Sequence, residues 1–391
     1  MKLLYICTFM FAKEEGLTYG LPANADPFFQ KYLDVFDGVR VLGDPIRSYL
    51  DKSHLVKMTD SRIEVRILPP NTSPRDFKND KTIKAILEEE ISSADAILIK
   101  PTTRKGIMAE KIANRLHKPF MIEMTGDIHN ALLHQKSIIR KAYAPILYHQ
   151  IKNGMKDCLY GLYVSKDYLQ KKYPIKGEMC GCSDVIIEKA TEDILNHRLE
   201  KIRNITKQDR IDIALIGFYQ GLMKGVDTAI RALSQLPPIF HLNILGNGTE
   251  DNRKKWIDYG EERGVKGRIH FPSPLPSSHA VLEWLDTQDF FVLPSLSEGL
   301  CRCVIEAISR GCICFCTNIT TMSELLPADC LFPVGDDKML ANLILDAYSD
   351  SEKMFQMAKA NFEHAKDYDF LVLKDRRNAF LMRFKNYCIN F

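Results

Sequence analysis

Two glutamates stand eight residues apart in Pro294-Ser295-Leu296-Ser297-Glu298-Gly299-Leu300-Cys301-Arg302-Cys303-Val304-Ile305-Glu306-Ala307. An apolar run ends at Pro294, a glycine-containing loop follows, and a helical pattern starts near Leu300. The rise of a helix puts Glu306 about two turns into it, with Glu298 in the loop. Between them lies a helix start, whose free N–H groups suit an anionic diphosphate. The carboxylates themselves would repel such a group, so their partners are neutral hydroxyls, as on a sugar and a ribose. The other reading pairs Glu306 with a nearby base and leaves Glu298 solvated.

A second element, Gly217-Phe218-Tyr219-Gln220-Gly221-Leu222-Met223-Lys224-Gly225, follows another apolar run. Its glycines permit close backbone approach, and Lys224 falls where a helix begins, a position that suits a phosphate. Taken alone, Lys224 reads rather as a surface lysine beside turn glycines. Gly246-Asn247-Gly248 lacks the third glycine of a dinucleotide fingerprint and reads as a turn. The eleven cysteines alternate at period two in Cys180/Cys182, Cys301/Cys303 and Cys312/Cys314/Cys316. Zinc sites space their ligands more widely, so these read as core thiols of a cytosolic, reducing compartment.

Positioning such loops requires strands that end at them. Short apolar runs alternate with helix-period segments throughout, which predicts βα units and parallel sheets. In the first half the strands are expected at 3–8, 38–42, 63–68, 96–100, 120–124 and 159–164. In the second half they are expected at 211–216, 241–245, 268–271, 290–294, 312–316 and 331–333. The fold class is therefore α/β, with two Rossmann-like domains facing across a cleft. The first spans 1–190 and the second 211–365. A charged linker occupies 191–210, and a C-terminal helix at 366–391 crosses back to the first domain. The length of 391 residues, with 46% hydrophobic and 26% charged residues, excludes disordered, collagenous and coiled-coil classes. Residues 1–190 carry 29 Lys/Arg against 23 Asp/Glu, and residues 191–391 carry 24 against 27. That division gives no footprint for nucleic acid but lets the first half approach an anionic surface. No apolar run nears the roughly 20 residues of a membrane span.

With these motifs in order, residues 211–350 resemble glycosyltransferase family 4, the retaining surface-polysaccharide type of GT-B fold. The Glu-x7-Glu motif is realised as Glu298 and Glu306. Supporting positions are Gly217 to Gly225, Leu245-Gly246-Asn247-Gly248, Asp289, Pro294-Ser295, Gly311, Ser323-Glu324-Leu325 and Gly335-Asp336-Asp337. The resemblance implies a hexosyl transfer from a nucleotide-diphosphate sugar, UDP-linked, held in the second domain. Glu306 would receive the ribose hydroxyls and Glu298 the transferred sugar. Gly217, Lys224 and the amides of Gly299 and Leu300 would hold the diphosphate. Phe218 stands where the family usually has an arginine, and Arg302 would supply the missing charge.

In the first half the resemblance extends only to rhythm. A long loop from Phe9 to about Pro27, bent at Gly16 and Gly20, replaces the family's Gly-Gly turn. Gly126-Asp127 takes the place of a His-Asp pair, so Asp127 would orient an acceptor hydroxyl and His129 would substitute for the missing imidazole. No cofactor or metal is expected. The sole Asp-x-Asp, Asp367-Tyr368-Asp369, falls in a helical region, and a helix start with basic side chains can neutralise a leaving diphosphate. The acceptor would be a glycan or lipid-linked. The basic stretches 100–118 and 136–156 would bring the chain to an anionic membrane surface, as a cytoplasmic protein peripheral on the inner face. The alternatives are a UDP-sugar 2-epimerase of the same fold, and a catalytically inactive nucleotide-sugar binding module.

Overall fold

The structure, a computed structural model, describes residues 1–47, 55–71, 74–134 and 137–391. It divides into two compact units. The first comprises residues 1–132, 137–182 and 374–391; the second comprises 133–136 and 183–373.

Among the described residues nine strands form the sheet of the first unit: β1 (Lys2–Glu14), β2 (Leu17–Gly20), β3 (Gly38–Pro45), β4 (Val56–Lys57), β5 (Ile63–Ile67), β6 (Ala96–Ile99), β7 (Phe120–Met124), β8 (Tyr160–Tyr163) and β9 (Glu178–Gly181). Their parallel part runs β5-β3-β1-β6-β7-β8-β9. β6 and β7 are buried along their whole length, which is why they read as unbroken apolar runs rather than alternating ones.

The expected loop after the first strand is instead a β-hairpin. Past a register shift between Ile6 and Met10, β1 continues to Glu14 and pairs antiparallel with β2. Glu15 and Gly16 turn the chain with φ of +51° and +79°, the two-residue arrangement that matches strand twist. Phe11 fixes this extension. It is fully buried, and a Cβ on Gly43 would come within 2.4 Å of its ring.

Six parallel strands make the second sheet: β10 (Ile211–Ile216), β11 (Phe240–Leu245), β12 (Ile269–His270), β13 (Phe290–Leu293), β14 (Ile313–Thr317) and β15 (Leu331–Phe332). The order is β12-β11-β10-β13-β14-β15, the doubly wound order whose direction reverses between the first and fourth strands. β10 and β13 are therefore neighbours, and a crevice opens beyond their carboxyl ends.

Residues 191–210, expected as a linker, contain a helix at Glu192–Arg203 that belongs to the second unit. Its charge-rich composition disguises a buried anchor. The Arg198 guanidinium donates to the carbonyls of Arg310 at 3.0 Å, Gln288 at 2.5 Å and Leu285 at 2.9 Å, satisfying carbonyls at the ends of two helices. The last helix, Phe370–Asn390, starts in the second unit, and its residues from Lys374 onward group with the first. There Arg383 pairs with Glu178 at 2.5 Å, Lys374 with Asp34 at 3.0 Å, and Phe380 and Phe384 pack on Tyr160.

Candidate functional site

The loops after β10 and β13 meet at the crevice of the second unit, and glycines let them meet. Gly225 has φ of +67°, and a Cβ there would lie 1.8 Å from the Pro294 carbonyl oxygen. Gly217 leaves room for a side chain: a Cβ on it would sit 2.7 Å from Cγ of Lys224. Lys224 thus lies across the end of β10, and its Nζ donates to Oε1 of Glu298 at 2.7 Å. The Ser295 hydroxyl donates to the same oxygen at 2.6 Å. Backbone bonds fix the Glu298 loop from two sides. Leu296 N donates to the Met223 carbonyl at 2.9 Å, and the Thr320 hydroxyl donates to the Glu298 carbonyl at 3.0 Å. Thr321 does the same for the Gly299 carbonyl.

A cavity of about 580 Å³ opens here, lined by Gly217, Lys224, Glu298, Leu300, Arg302 and Glu306 together with Phe218, Leu245, Gly246 and Asn247. The structure thereby brings together six of the seven expected donor-side residues. The seventh, Gly299, lies in the same loop, and neither its amide nor that of Leu300 joins the loop's backbone hydrogen bonding among the described residues. Glu306 sits in the middle of the helix Arg302–Ser309. Burial raises its carboxyl pKa, and the Arg302 cation offsets only part of the rise. Burial works against the charge of Lys224, but its acidic neighbours, the Cys301 thiol and the Glu298 carboxylate, raise its pKa overall. The Cys301 thiol is itself held protonated, first by its contact with Cys303 and then by burial. Glu298 is therefore the charge that keeps Lys224 an ammonium.

Thr320 was not legible as a site residue. It has φ of +40°, an uncommon conformation for a β-branched residue. That backbone aims its hydroxyl at the Glu298 carbonyl. Other positions of the motif hold the scaffold. Asp289 accepts from Asp212 N at 2.8 Å and pairs with Lys201 at 3.0 Å. Asp336 caps the helix Asp337–Ser349, and Asp337 pairs with Arg231 at 2.7 Å. Gly311 ends the helix of Glu306 with φ of +61°. Asp369 accepts from Leu371 N at 2.9 Å, capping the last helix.

In the first unit Asp127 and His129 lie just beyond β7, but Asp127 is not an open acceptor. It is buried, and its oxygens accept from Lys172 at 2.5 Å, Tyr168 and Tyr173 at 2.8 Å each, and Asn130 N at 3.2 Å. Burial alone would raise its pKa, yet the bonds from Lys172, Tyr173 and Tyr168 outweigh burial and hold the carboxyl below its ordinary value. Its place is that of an anchor for two tyrosines and a lysine. His129 packs on Tyr148 with ring centroids 5.1 Å apart, and its buried Nδ1 has no hydrogen-bond partner among the described residues. Burial, then the nearby Lys172 cation, lowers its pKa, so the imidazole is neutral at neutral pH.

The two doubly wound units are those of the GT-B fold. Residues 201–364 match the family model of glycosyl transferases, group 1, so the likeness first read from motifs covers the unit that carries the cavity. Over 392 aligned positions the chain is 25% identical to Protein CapJ of Staphylococcus aureus, covering 98% of this chain and 96% of that one. Over 141 residues it is 28% identical to the O-antigen biosynthesis glycosyltransferase WclY of Escherichia coli, which is 36% of this chain and 38% of that one. Among solved structures, HepE of Anabaena in complex with UDP superposes with a TM-score of 0.67 at 13% identity, covering 98% of this chain and 100% of that one.

Proposed function

We propose that the second unit binds a nucleotide-diphosphate sugar, UDP-linked, and that the chain transfers the hexose with retention to a glycan or lipid-linked acceptor in surface polysaccharide synthesis. The observation that carries this reading is the cavity at the β10/β13 crevice, where one ammonium, two carboxylates and a helix start converge. In this structure Lys224 is neutralised by Glu298. An incoming diphosphate would take Lys224 as its counter-ion and free Glu298 for the sugar hydroxyls. Glu306, held in a poorly solvated position, would accept the ribose hydroxyls. Arg302 and the amides of Gly299 and Leu300 would share the charge on the leaving diphosphate, without a metal. His129, neutral and with one nitrogen unpartnered, is the first unit's candidate to face the reacting sugar, while Asp127 positions the residues beside it. The name of WclY supports a role in O-antigen-type glycans, and the UDP bound by HepE supports the base. Such an acceptor places the work at the cytoplasmic face of a membrane.

Calorimetric titration with UDP and UDP-sugars tests the reading. Glu306→Ala should weaken donor binding by about 1.5–3 kcal/mol, the worth of a hydrogen bond to a charged group, and activity should survive EDTA. An unchanged affinity removes Glu306 from the site. Loss with EDTA, restored by manganese or magnesium, removes the metal-free mechanism. Release of UDP and an altered free sugar, with no new glycoside, would favour the epimerase.

A further inference from the structure

The helix Ile138–Met155 is apolar on two faces. Ala144, Leu147, Ile151 and Met155 are buried and share one side. On the opposite side Ile138 and Ile139 are each 82% exposed and Ile146 is 54% exposed, with Tyr143 exposed on the flank. A surface helix keeps one apolar stripe inward and polar residues outward; here the outward side is apolar over the first half of the helix and turns polar at His149, Gln150 and Asn153. Exposed apolar side chains grouped at one end of a helix suit an interaction surface.

We infer that this stripe docks the chain on an anionic lipid surface, its isoleucines entering the headgroup layer. Charge selects the occupant. Residues 128–156 contain five Lys/Arg and three His but no Asp or Glu, and Arg140 and Lys141 are exposed in the first turn of the helix. A second copy paired through this face would set basic residues against basic residues with no acid from the same stretch between them. Anionic headgroups are complementary to such a stretch, and an interfacial helix with basic residues beside its apolar face is suited to them. The other basic stretch, 100–118, is largely spent inside the fold. Lys100 and Lys105 are buried beside Glu123 and Asp44, Arg104 and Arg115 pair with Asp80 and Glu88, and Lys118 donates to the Ala94 carbonyl. Among the described residues no helix is long and apolar enough to cross a membrane, so the contact is interfacial.

This inference deepens the membrane part of the proposed function and rests on that reading only for the acceptor's place. The test is co-sedimentation of the full chain with phosphatidylcholine vesicles, with and without phosphatidylglycerol, at low and high salt. Binding should require the anionic lipid and weaken as salt rises. The triple variant Ile138→Ser, Ile139→Ser, Ile146→Ser changes only exposed side chains. It should bind at least about tenfold more weakly, and Arg140→Glu with Lys141→Glu should abolish the lipid preference. Retained binding in the triple variant overturns the inference. So does absence of vesicle binding, with or without a concentration-dependent dimer in sedimentation that the same variant dissociates. UDP calorimetry on each variant keeps the questions apart, because vesicle binding can fail while UDP binding stands, and the reverse.

Discussion

Six parallel strands of the first sheet, β5-β3-β1-β6-β7-β8, repeat the order of the second sheet, and the two units differ in what fills the point where that order reverses. In the second unit the crevice beyond β10 and β13 is open, with Lys224, Glu298 and Glu306 on its walls. In the first unit the equivalent point lies beyond β1 and β6, and the chain's own side chains close it. Lys105, 1% exposed, reaches from the helix Arg104–Arg115 to Asp44 of β3 at 2.7 Å and to the Leu42 carbonyl at 3.4 Å. Cys7 is buried alongside, its thiol pushed up to about 11 by burial. Where the second unit has a glycine loop after its first strand, the first unit has a hairpin anchored by Phe11. Both points carry a lysine–carboxylate pair. One pair is sealed within the protein and serves stability; the other borders a cavity and is available to a ligand.

The largest expected effect comes from breaking the sealed pair. Lys105→Met leaves Asp44 buried without its partner and should lower the unfolding free energy by about 3–5 kcal/mol. Adding Asp44→Leu should restore most of the loss, since a buried pair can be exchanged for apolar groups at little cost. Urea denaturation measures both, and UDP affinity of the folded protein should not change. A single variant that loses less than about 1 kcal/mol would mean that water reaches this pair, and the contrast between the units would dissolve.

At the open crevice the balance reverses. Gly217→Ala places a methyl 2.7 Å from Cγ, 2.8 Å from Cδ and 3.0 Å from Cε of Lys224, so that side chain must take another rotamer. Stability should change by less than about 1 kcal/mol, while displacement of the ammonium should weaken UDP-sugar binding by roughly tenfold, about the worth of one charge-assisted hydrogen bond. Equal losses in stability and in affinity would show that this pair, too, is structural.

What the sequence made legible follows the same division. Glu298, Glu306, Lys224 and their glycines could be read in advance, because a turn that needs glycine and a loop that bears charge announce themselves at fixed spacing. β2 could not. Leu17–Gly20 is a strand only because β1 continues past its register shift to receive it, and that continuation depends on Phe11 meeting Gly43. Thr320 was hidden for a related reason, since its hydroxyl reaches Glu298 through a left-handed backbone that no residue type signals. Arg198 was mistaken for part of a solvated connection because composition does not show which arginine of a charged segment is buried. Asp127 was placed correctly after β7, but its role changed once Tyr168, Lys172 and Tyr173, more than forty residues away, were found to occupy its oxygens.

The smallest effect concerns Glu306 before any ligand arrives. Burial raises its pKa in the folded state, so between the ordinary glutamate value and the raised one the folded chain holds more protons than the unfolded chain. Stability must then fall as pH rises through that window and stay lower above it. Glu306→Gln removes this penalty. The empty variant should melt slightly higher than wild type at neutral pH, and the difference should vanish below the glutamate range, as differential scanning calorimetry can follow. Saturating UDP should invert the order, raising the melting point of wild type more than that of the variant, because stabilisation by a ligand scales with its affinity. A site residue held at a cost to the empty fold, and repaid by its ligand, is the counterpart of Lys105. A melting difference independent of pH would instead mean that the Glu306 carboxylate is already well solvated, and that its place in the cavity wall owes nothing to strain.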